Sequence, residues 1–331
     1  MIEARHTILG KAFEYACAAA LRDAVGDVQK IVFVDSIQLV QAEEYYNNRL
    51  EEKERMNISA AAMAGIRVLL RYEPQLRYPN GNEPLYVSLA PDTQGQTGDV
   101  RDVLFVRMQN CWEIGISCKH NHTAVKHSRL SDKLDFGAKW FGIPCSENYF
   151  ADIRPVFSEL RQIRKSSQAK AKWDTIGGDE AKQKLYKTVL TAFAKELKRL
   201  DSENPGVVAP RLISYLIGSK DFYKLIAIDR DKTTEIQAFN MYGTLNKASG
   251  MNKSISDIRK LKLPTRFHRI EFFEENGVER PNTLAVYCDC GWEVTLRIHN
   301  ASSRVEPSLK FDIQLITYPK EIRSQIEPWY M

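Results

Sequence analysis

The chain has 331 residues, of which 44% are hydrophobic and 27% charged, and it contains six cysteines. This composition is typical of a globular protein with enough apolar residues for one large core or two modest ones, and it excludes a small secreted disulfide scaffold. No apolar run approaches the roughly 18 residues of a membrane span and no signal-peptide pattern is found, so the sequence predicts a cytoplasmic protein with reduced thiols. The net charge of +5 is compatible with a polyanionic partner and equally with a solvated surface.

The first elements in chain order are predicted from hydrophobic spacing. Residues 9–25 place apolar side chains along one helical stripe, which predicts an amphipathic first helix. The β-branched segment KIVFVDSI favours a strand or a buried turn, and a charged helix is expected around residues 41–55. The segment AAAMAGIRVLLRYE predicts a further helix, capped by Asn57 or Ser59 and stopped by Pro74.

Strands and helices then alternate in blocks. The segment LYVSLA predicts a strand, and DVLFVRM and CWEIGISCK, separated by Gln109 and Asn110, predict a tight hairpin. Helices interrupted at Gly177 and Gly178 are expected between residues 157 and 200. The last third holds a predicted hairpin (YKLIAIDR and EIQAFNMYG) and four later strand-like runs: RIEFF, TLAVYCDC, WEVTLRIHN and LKFDIQLI. We therefore divide the chain into a core (1–150), a helical segment (151–215) and a β-rich region (216–331).

The first hairpin carries a pattern of polar residues that suggests chemistry. Because side chains alternate along a strand, Glu113, Gly115, Ser117 and Lys119 share one face while an apolar set occupies the other. Asp102 opens the neighbouring strand, and the hairpin brings it towards the end of the second strand, where Lys119 lies. Carboxylate oxygens bind Mg²⁺ and an amine positions a water, which are the requirements for cutting a phosphodiester. The alternative is an ordinary turn aspartate with a solvated lysine at a strand end.

The same segments resemble a nuclease family. An acid that opens one strand, followed by a hairpin and a strand ending in acid-x-Lys, resembles the PD-(D/E)XK nuclease core. GDVRDVLF and EIGISCKHNHTAVKHSRLS resemble the HaeIII-type restriction endonucleases in particular, with further likeness in GKAFEYAC and GWEVTLRIHNASSRVEPSLKFDIQL.

The resemblance implies a fold and an activity. The implied fold is α/β, with a mixed sheet flanked by helices, a helical insertion and a β-rich C-terminal region that contributes to DNA recognition. The implied activity is that of a type II restriction endonuclease, which hydrolyses double-stranded DNA with Mg²⁺. The implied target is GGCC, with a blunt cut between G and C.

Within this pattern Asp102 is the expected metal-binding carboxylate and Lys119 the catalytic amine. The acid expected two residues before the lysine is absent, because that position is Ser117, and this leaves the second metal ligand open. Glu14 in the first helix is the preferred supplement, and the Ser117 hydroxyl is a further candidate. Glu113 is a further catalytic candidate, because it lies on the same strand face as Lys119. Four residues of rise place it roughly 13 Å from Ser117, which is far for sharing one ion unless the strand bends.

Asp99 is the competing acid, since it lies three residues before Asp102. Its place between Gly98 and Val100 favours a loop function instead.

Polar and basic residues after the lysine are candidates for DNA contact, because they supply donors for phosphate oxygens and base edges. They are His120, Asn121, His122, Lys126, His127 and Arg129. A helix beginning near Thr123 would present Lys126 and Arg129 together. Candidates for base contact in the C-terminal half are Lys247, Lys253, Arg259, Arg280 and Arg297, although an ordinary surface charge is the simpler interpretation of each one alone.

Other site classes fit the sequence less well. His-Asn-His at residues 120–122 is consecutive and lacks the spacing and cysteine pairs of an HNH nuclease, and neither a phosphate-loop motif nor a G-x-G-x-x-G motif is found. Cys288 and Cys290 lie two apart on a predicted strand, so the alternatives there are buried thiols or a structural zinc completed by His268 or His299.

The rival function is a non-catalytic DNA-binding protein, for which Asp102 and Lys119 would be coincidental. A restriction enzyme implies double-stranded DNA and a protective DNA methyltransferase as partners. A symmetric target is compatible with a homodimer or with paired monomers.

Overall fold

The structure is a computed structural model that describes residues 5–79, 82–91, 98–121, 126–166, 171–299 and 304–330. It divides into two units, each discontinuous in sequence. The first unit draws on residues 1–123, 218–261 and 320–331, and the second on residues 124–217 and 262–319. These units differ from the three consecutive segments predicted above, and strand pairing between distant segments is the reason.

The first unit contains a mixed sheet, with elements numbered along the whole chain. Its helices are α1 (Arg5–Val25), α2 (Ile37–Glu44), α3 (Glu52–Tyr72) and α4 (Pro74–Arg77), with a π-helical turn at Tyr45–Arg49. Its strands are β1 (Ile31–Phe33), β2 (Leu85–Leu89), β3 (Val103–Arg107), β4 (Trp112–His120), β6 (Phe222–Ile228), β7 (Thr233–Phe239) and β12 (Ser324–Pro328). The strand order is β1-β2-β3-β4-β6-β7-β12, in which β1 with β2 and β4 with β6 are parallel pairs.

Helices α1 and α3 bury their apolar faces against this sheet. Cys17 of α1 meets Cys118 of β4, with 3.8 Å between the two sulfur atoms. Gly65 lets α3 approach β6 closely, because a Cβ there would lie 2.6 Å from Leu225 Cδ2.

Helix α3 begins at Glu52, five residues before the predicted cap Asn57. Two reciprocal hydrogen bonds explain the earlier start: the Glu51 side chain accepts from the backbone of Glu54, and the Glu54 side chain accepts from the Glu51 N–H. The helix ends just before Pro74, as predicted.

The predicted first hairpin is confirmed, with a longer loop. Arg107 pairs with Trp112, so four residues (108–111) connect β3 and β4 and not two. The Glu83 carboxylate accepts hydrogen bonds from Gln109 N–H and from the Asn110 side chain, and these contacts stabilise the wider turn.

The second unit is built on an antiparallel sheet. Its helices are α5 (Phe136–Phe141), α6 (Glu147–Ser166), α7 (Gly178–Glu203) and α8 (Val208–Ile217), with a 3₁₀ turn at Trp173–Ile176. Its strands are β5 (Lys126–Leu130), β8 (Phe267–Glu275), β9 (Val278–Cys288), β10 (Glu293–His299) and β11 (Leu309–Thr317), in the order β5-β11-β10-β9-β8. The predicted interruption at Gly177 and Gly178, the second hairpin and the four late strands are confirmed.

The predicted helix near Thr123 is wrong where the structure describes it. Thr123 lies outside the described residues, but residues 126–130 form β5 and pair with residues 309–313 of β11. Pairing with a distant strand overrode the local helical spacing of Lys126 and Arg129.

Among the described residues, no helix has the length and apolar character needed to cross a membrane.

A buried carboxylate fastens the segment that follows β7. Glu73 is fully buried, and its Oε1 accepts hydrogen bonds from the Tyr223 hydroxyl (2.7 Å) and from the Asn246 N–H (2.5 Å). Burial raises the pKa of Glu73 to about 7, although these hydrogen bonds oppose the shift. The folded protein therefore holds a proton on Glu73 at pH values where the unfolded chain has lost it.

We expect Glu73 to make the folded protein less stable as pH rises. The raised pKa contributes stability below about pH 4.5, and this contribution is lost as pH rises through about 7. In the wild type, this loss should lower the free energy of unfolding by on the order of 3 kcal/mol across that pH range. Glu73→Gln keeps an acceptor oxygen but cannot ionise, so its free energy of unfolding should not show this decrease. Urea unfolding across this pH range would measure the difference, with the exposed Glu52→Gln as control. Parallel curves for wild type and Glu73→Gln would contradict the assignment.

Candidate active site

Asp102 is fixed where β3 begins, between two neighbouring strands. Its N–H donates to the carbonyl of Ile116 at 2.7 Å, and its carbonyl accepts from the N–H of Ala90 at 2.9 Å. Because the backbone is held on both sides, the direction of the side chain is set by the sheet.

The carboxylate of Asp102 is held by the end of β4. Its Oδ2 accepts hydrogen bonds from the Cys118 N–H (2.7 Å) and from the Ser117 hydroxyl (3.3 Å). The Lys119 Nζ lies 3.4 Å from the same oxygen. Both charged side chains are about one quarter exposed, at 25% for Lys119 and 26% for Asp102. The structure thus brings together the acid and the amine singled out in the sequence, in a place that solvent reaches.

Glu14 of α1 adds a second carboxylate near Asp102. It is buried, and its Oε2 accepts from Lys11 Nζ at 3.0 Å. Burial, and next the negative charge of Asp102, raise the pKa of Glu14 to about 8, while Lys11 and Lys119 act in the opposite direction. The two carboxyl groups therefore interact, and the charge of Asp102 disfavours the ionised form of Glu14.

This donor set fits a hard divalent cation. Two mutually repelling carboxylates beside a hydroxyl, that of Ser117, are oxygen ligands of the kind that Mg²⁺ prefers, and a cation would relieve the repulsion. In the part of the chain that the structure describes, no group of three or more His, Cys, Asp or Glu side chains is placed to hold a metal. A Mg²⁺ ion held by Asp102 and Glu14 would consequently keep several waters.

Glu113 is not brought to Asp102. Its carboxylate lies 3.2 Å from Arg101 Nη1 and 3.5 Å from Lys220 Nζ. Asp99 is also paired with Arg101, at 2.7 Å. These two acids flank Arg101. Of the four acids singled out in the sequence, Asp102 and Glu14 are the ones that interact with Lys119.

The residues that follow Lys119 are tied to the end of β6. His120 Nε2 lies 2.9 Å from Asp229 Oδ2, and the Asn121 side chain exchanges two hydrogen bonds with Asp229. Both side chains are therefore engaged within the protein.

The candidates after Asn121 belong to another part of the structure. His122 lies outside the described residues, and for Lys126 and His127 the structure describes only the backbone, in β5. Arg129 is exposed and donates to the Ser308 hydroxyl at 2.8 Å.

The five C-terminal candidates for DNA contact differ in whether the structure pairs them with an acid. Lys247 and Lys253 are exposed on the segment after β7, and Lys247 lines a cavity of about 540 Å³ within the first unit. Three arginines instead make ion pairs: Arg259 with Asp257, Arg280 with Glu275, and Arg297 with Asp312.

Cys288 and Cys290 do not share an environment. Cys288 is buried, and burial raises the pKa of its thiol to about 12, whereas Cys290 is exposed in a turn with φ 56°. Across the described ranges, no set of three potential ligands accompanies them. The structure therefore favours free thiols over the zinc alternative.

Two lysines near the site were missed from the sequence. Lys11 precedes Glu14 by three residues, a spacing that places both on one helix face, and this signal was available. Lys224 is a single charge inside the otherwise apolar strand FYKLIAI, which is also a visible anomaly.

Comparison with known proteins gives the family of this chain. The family model for the HaeIII restriction endonuclease matches residues 10–319, and the chain belongs to the HaeIII restriction endonuclease family. A curated relative is the Type II restriction enzyme HaeIII of Haemophilus aegyptius, 39% identical over 320 residues and covering 97% of each chain. No solved structure matches the chain. The resemblance predicted from the sequence is confirmed, and family membership decides for a type II site-specific endonuclease over a non-catalytic DNA-binding protein.

We expect Glu14→Gln to impair DNA cleavage. The substitution keeps the shape of the side chain but removes the charge that interacts with Asp102, and loss of one positioned electrostatic group lowers rates by about 10²- to 10³-fold. Initial cleavage rates would measure the effect. Asp23→Asn, which changes an exposed acid of the same helix, is the matched control and should cleave like the wild type. Equal rates for the two variants would exclude Glu14 from the site.

Proposed function

We propose that this endonuclease hydrolyses phosphodiester bonds of double-stranded DNA at the Asp102 site, with Mg²⁺ as cofactor. The observation that carries the proposal is the 3.4 Å approach of Lys119 Nζ to Asp102 Oδ2 across the β3–β4 hairpin. An acid and an amine from separate strands, beside a buried glutamate, are the groups that a metal-assisted phosphodiester hydrolysis needs.

The core is proposed to be of the PD-(D/E)XK type. Three features support this assignment: a mixed sheet, an aspartate at the start of β3, and a lysine at the end of β4. Ser117 departs from the pattern, since it stands where the pattern has an acid. Glu14 of α1 is proposed to supply the missing carboxylate.

Each side chain has a distinct proposed role. Asp102 and Glu14 would hold the cation, with the Ser117 hydroxyl as a further oxygen. When bound, Mg²⁺ lowers the pKa of a coordinated water and stabilises charge on the phosphate. The Cys118 N–H fixes the carboxylate of Asp102 through its 2.7 Å hydrogen bond. Lys119 donates to the attacking water or to a phosphate oxygen, and so orients it.

The DNA target and its contacts are also proposals. The family resemblance implies cleavage of GGCC between G and C. Lys247 and Lys253 are proposed to contact DNA because they are exposed and cationic. For His120 and Asn121 to contact DNA, they would have to exchange their bonds to Asp229. His122, Lys126, His127 and Arg129 stay predictions.

The wider biological setting follows from the activity. A nuclease of this class requires protection of its own sites, so we propose a cognate DNA methyltransferase as functional partner. A homodimer would match the symmetry of a palindromic target. The cytoplasmic location expected from the sequence stays a prediction.

Digestion of a mapped DNA in Mg²⁺, followed by sequencing of the ends, would test substrate, site and cut position together. We expect blunt ends within GGCC, and no cleavage when EDTA removes the cation. Cleavage that persists in EDTA would exclude the proposed cofactor, whereas cutting at another sequence would overturn only the target.

Paired variants would test the assignment of the site. Asp102→Asn and Lys119→Met should each lower the cleavage rate by about 10²- to 10³-fold or more, because the first removes a proposed ligand of the cation and the second removes the amine that orients the water or the phosphate. Asp99→Asn and Lys220→Met are the matched controls from the Arg101 cluster, and they should retain cleavage. Thermal unfolding should accompany each measurement, since Asp99 also pairs with Arg101. Loss of cleavage in Asp99→Asn but not in Asp102→Asn would place the site at the other acid.

A further inference from the structure

A second lysine of the sheet borders the Asp102 site. Strands β4 and β6 pair in parallel, with Ser117 beside Lys224 and Lys119 beside Ile226. Directly paired residues of neighbouring strands project from the same side of a sheet, and so do alternate residues of one strand. Ser117, Lys119 and Lys224 consequently occupy one face, although Lys119 and Lys224 are more than 100 residues apart in sequence.

Lys224 is unusual because it is buried. Only 6% of the residue is exposed, and lysines are seldom buried to this degree. Burial, and next the positive charge of Lys119, lower the pKa of Lys224 to about 8, while Glu235 acts in the opposite direction. The two amines thus interact with each other, as two cations that share a small region do.

The neighbouring acid, Glu235, also interacts with residues other than Lys224. Glu235 Oε1 accepts hydrogen bonds from Gln237 Nε2 at 2.8 Å and from the Ser324 hydroxyl at 2.9 Å. On the other side, the residue paired with Lys224 is Ser117, a neutral hydroxyl that is 2% exposed. Asp102 pairs with Lys119 and Glu235 acts on Lys224, but the two ammonium groups on one face still repel each other, and an anion held by both would relieve this repulsion.

We propose that Lys224 is a second phosphate-binding amine of the active site, which together with Lys119 holds a non-bridging oxygen of the scissile phosphodiester. The inference rests on the proposed function, because it takes DNA as the source of the anion. The low exposure of Lys224 strengthens the interaction, since little water competes for the ammonium. No bond to Lys224 is made or broken in this role.

A double-mutant cycle between protein and DNA would test the contact. Duplexes containing the mapped site carry one neutral methylphosphonate, either at the scissile position or at a neighbouring phosphate. Affinity is measured by fluorescence anisotropy in the Asp102→Asn background, so that the DNA stays intact. Lys224→Met should weaken binding of the unmodified duplex about tenfold. It should cause no further loss with the scissile methylphosphonate, because the partner charge is already absent.

Control variants separate contact from structure. Lys220→Met removes an exposed lysine close to Lys224 in the chain. Any loss of DNA affinity that it causes should add to the loss caused by the methylphosphonate, at whichever position the methylphosphonate is placed. Lys224→Arg keeps a cation and should keep the coupling to the scissile phosphate. If Lys224→Met fails to fold, Lys224→Gln replaces it in the same cycle. A purely structural role would lower the unfolding midpoint and leave the cycle additive.

The outcomes distinguish this inference from the proposed function. Additive losses at the scissile phosphate, or coupling to a different phosphate, would overturn the role of Lys224 while wild-type cleavage in Mg²⁺ stands. Failure of the wild type to cleave any duplex would instead overturn the proposed function itself.

Discussion

The parallel pairing of β4 with β6 is the constraint on which the rest of the first unit depends. Parallel neighbours cannot be joined by a tight turn, so a long crossover must separate them, and here that crossover contains α5, α6, α7 and α8. The same pairing brings Asp229 to the His120 and Asn121 side chains and fixes the end of β4. Lys119 lies near Asp102 because its strand, β4, is paired with β3 on one side and with β6 on the other.

Charge balance around Asp102 is maintained by groups from three separate elements. Lys11 and Glu14 come from α1, Lys119 from β4 and Lys224 from β6. Glu14 is buried close to a like charge, which is unfavourable for its ionised form, and the nearby ammonium groups only partly compensate. Because the two acids repel each other and the amines also repel each other, this region favours binding of a cation and an anion together. A metal ion and a phosphate are such a pair, and this agrees with the family to which the chain belongs.

Local patterns in the sequence predicted much of the fold and the proximity of Asp102 to Lys119. Alternation in DVLFVRM and CWEIGISCK was enough to predict the hairpin, and the positions of Asp102 and Lys119 followed from it. Long-range pairing was not predictable in the same way. Lys126–Leu130 became a strand because β11 offers it a partner, and the exposed edge strand β12 has little apolar alternation to announce it. The place of Lys224 depends on a parallel register between segments more than 100 residues apart, for which a single sequence gives no local signal.

The discontinuity of the first unit also has a consequence for how this enzyme is made. On the ribosome, residues 5–121 emerge with Asp102 and Lys119 but without β6, the strand that borders them. The edge strand β12 follows only after the whole of the second unit, and it is fastened to α3 by the 2.9 Å contact between Arg71 and Glu327. Domains that are continuous in sequence can fold in turn during synthesis. Here the sheet that carries the candidate site stays incomplete until β12 has been translated, so a nascent chain without β12 lacks part of that sheet.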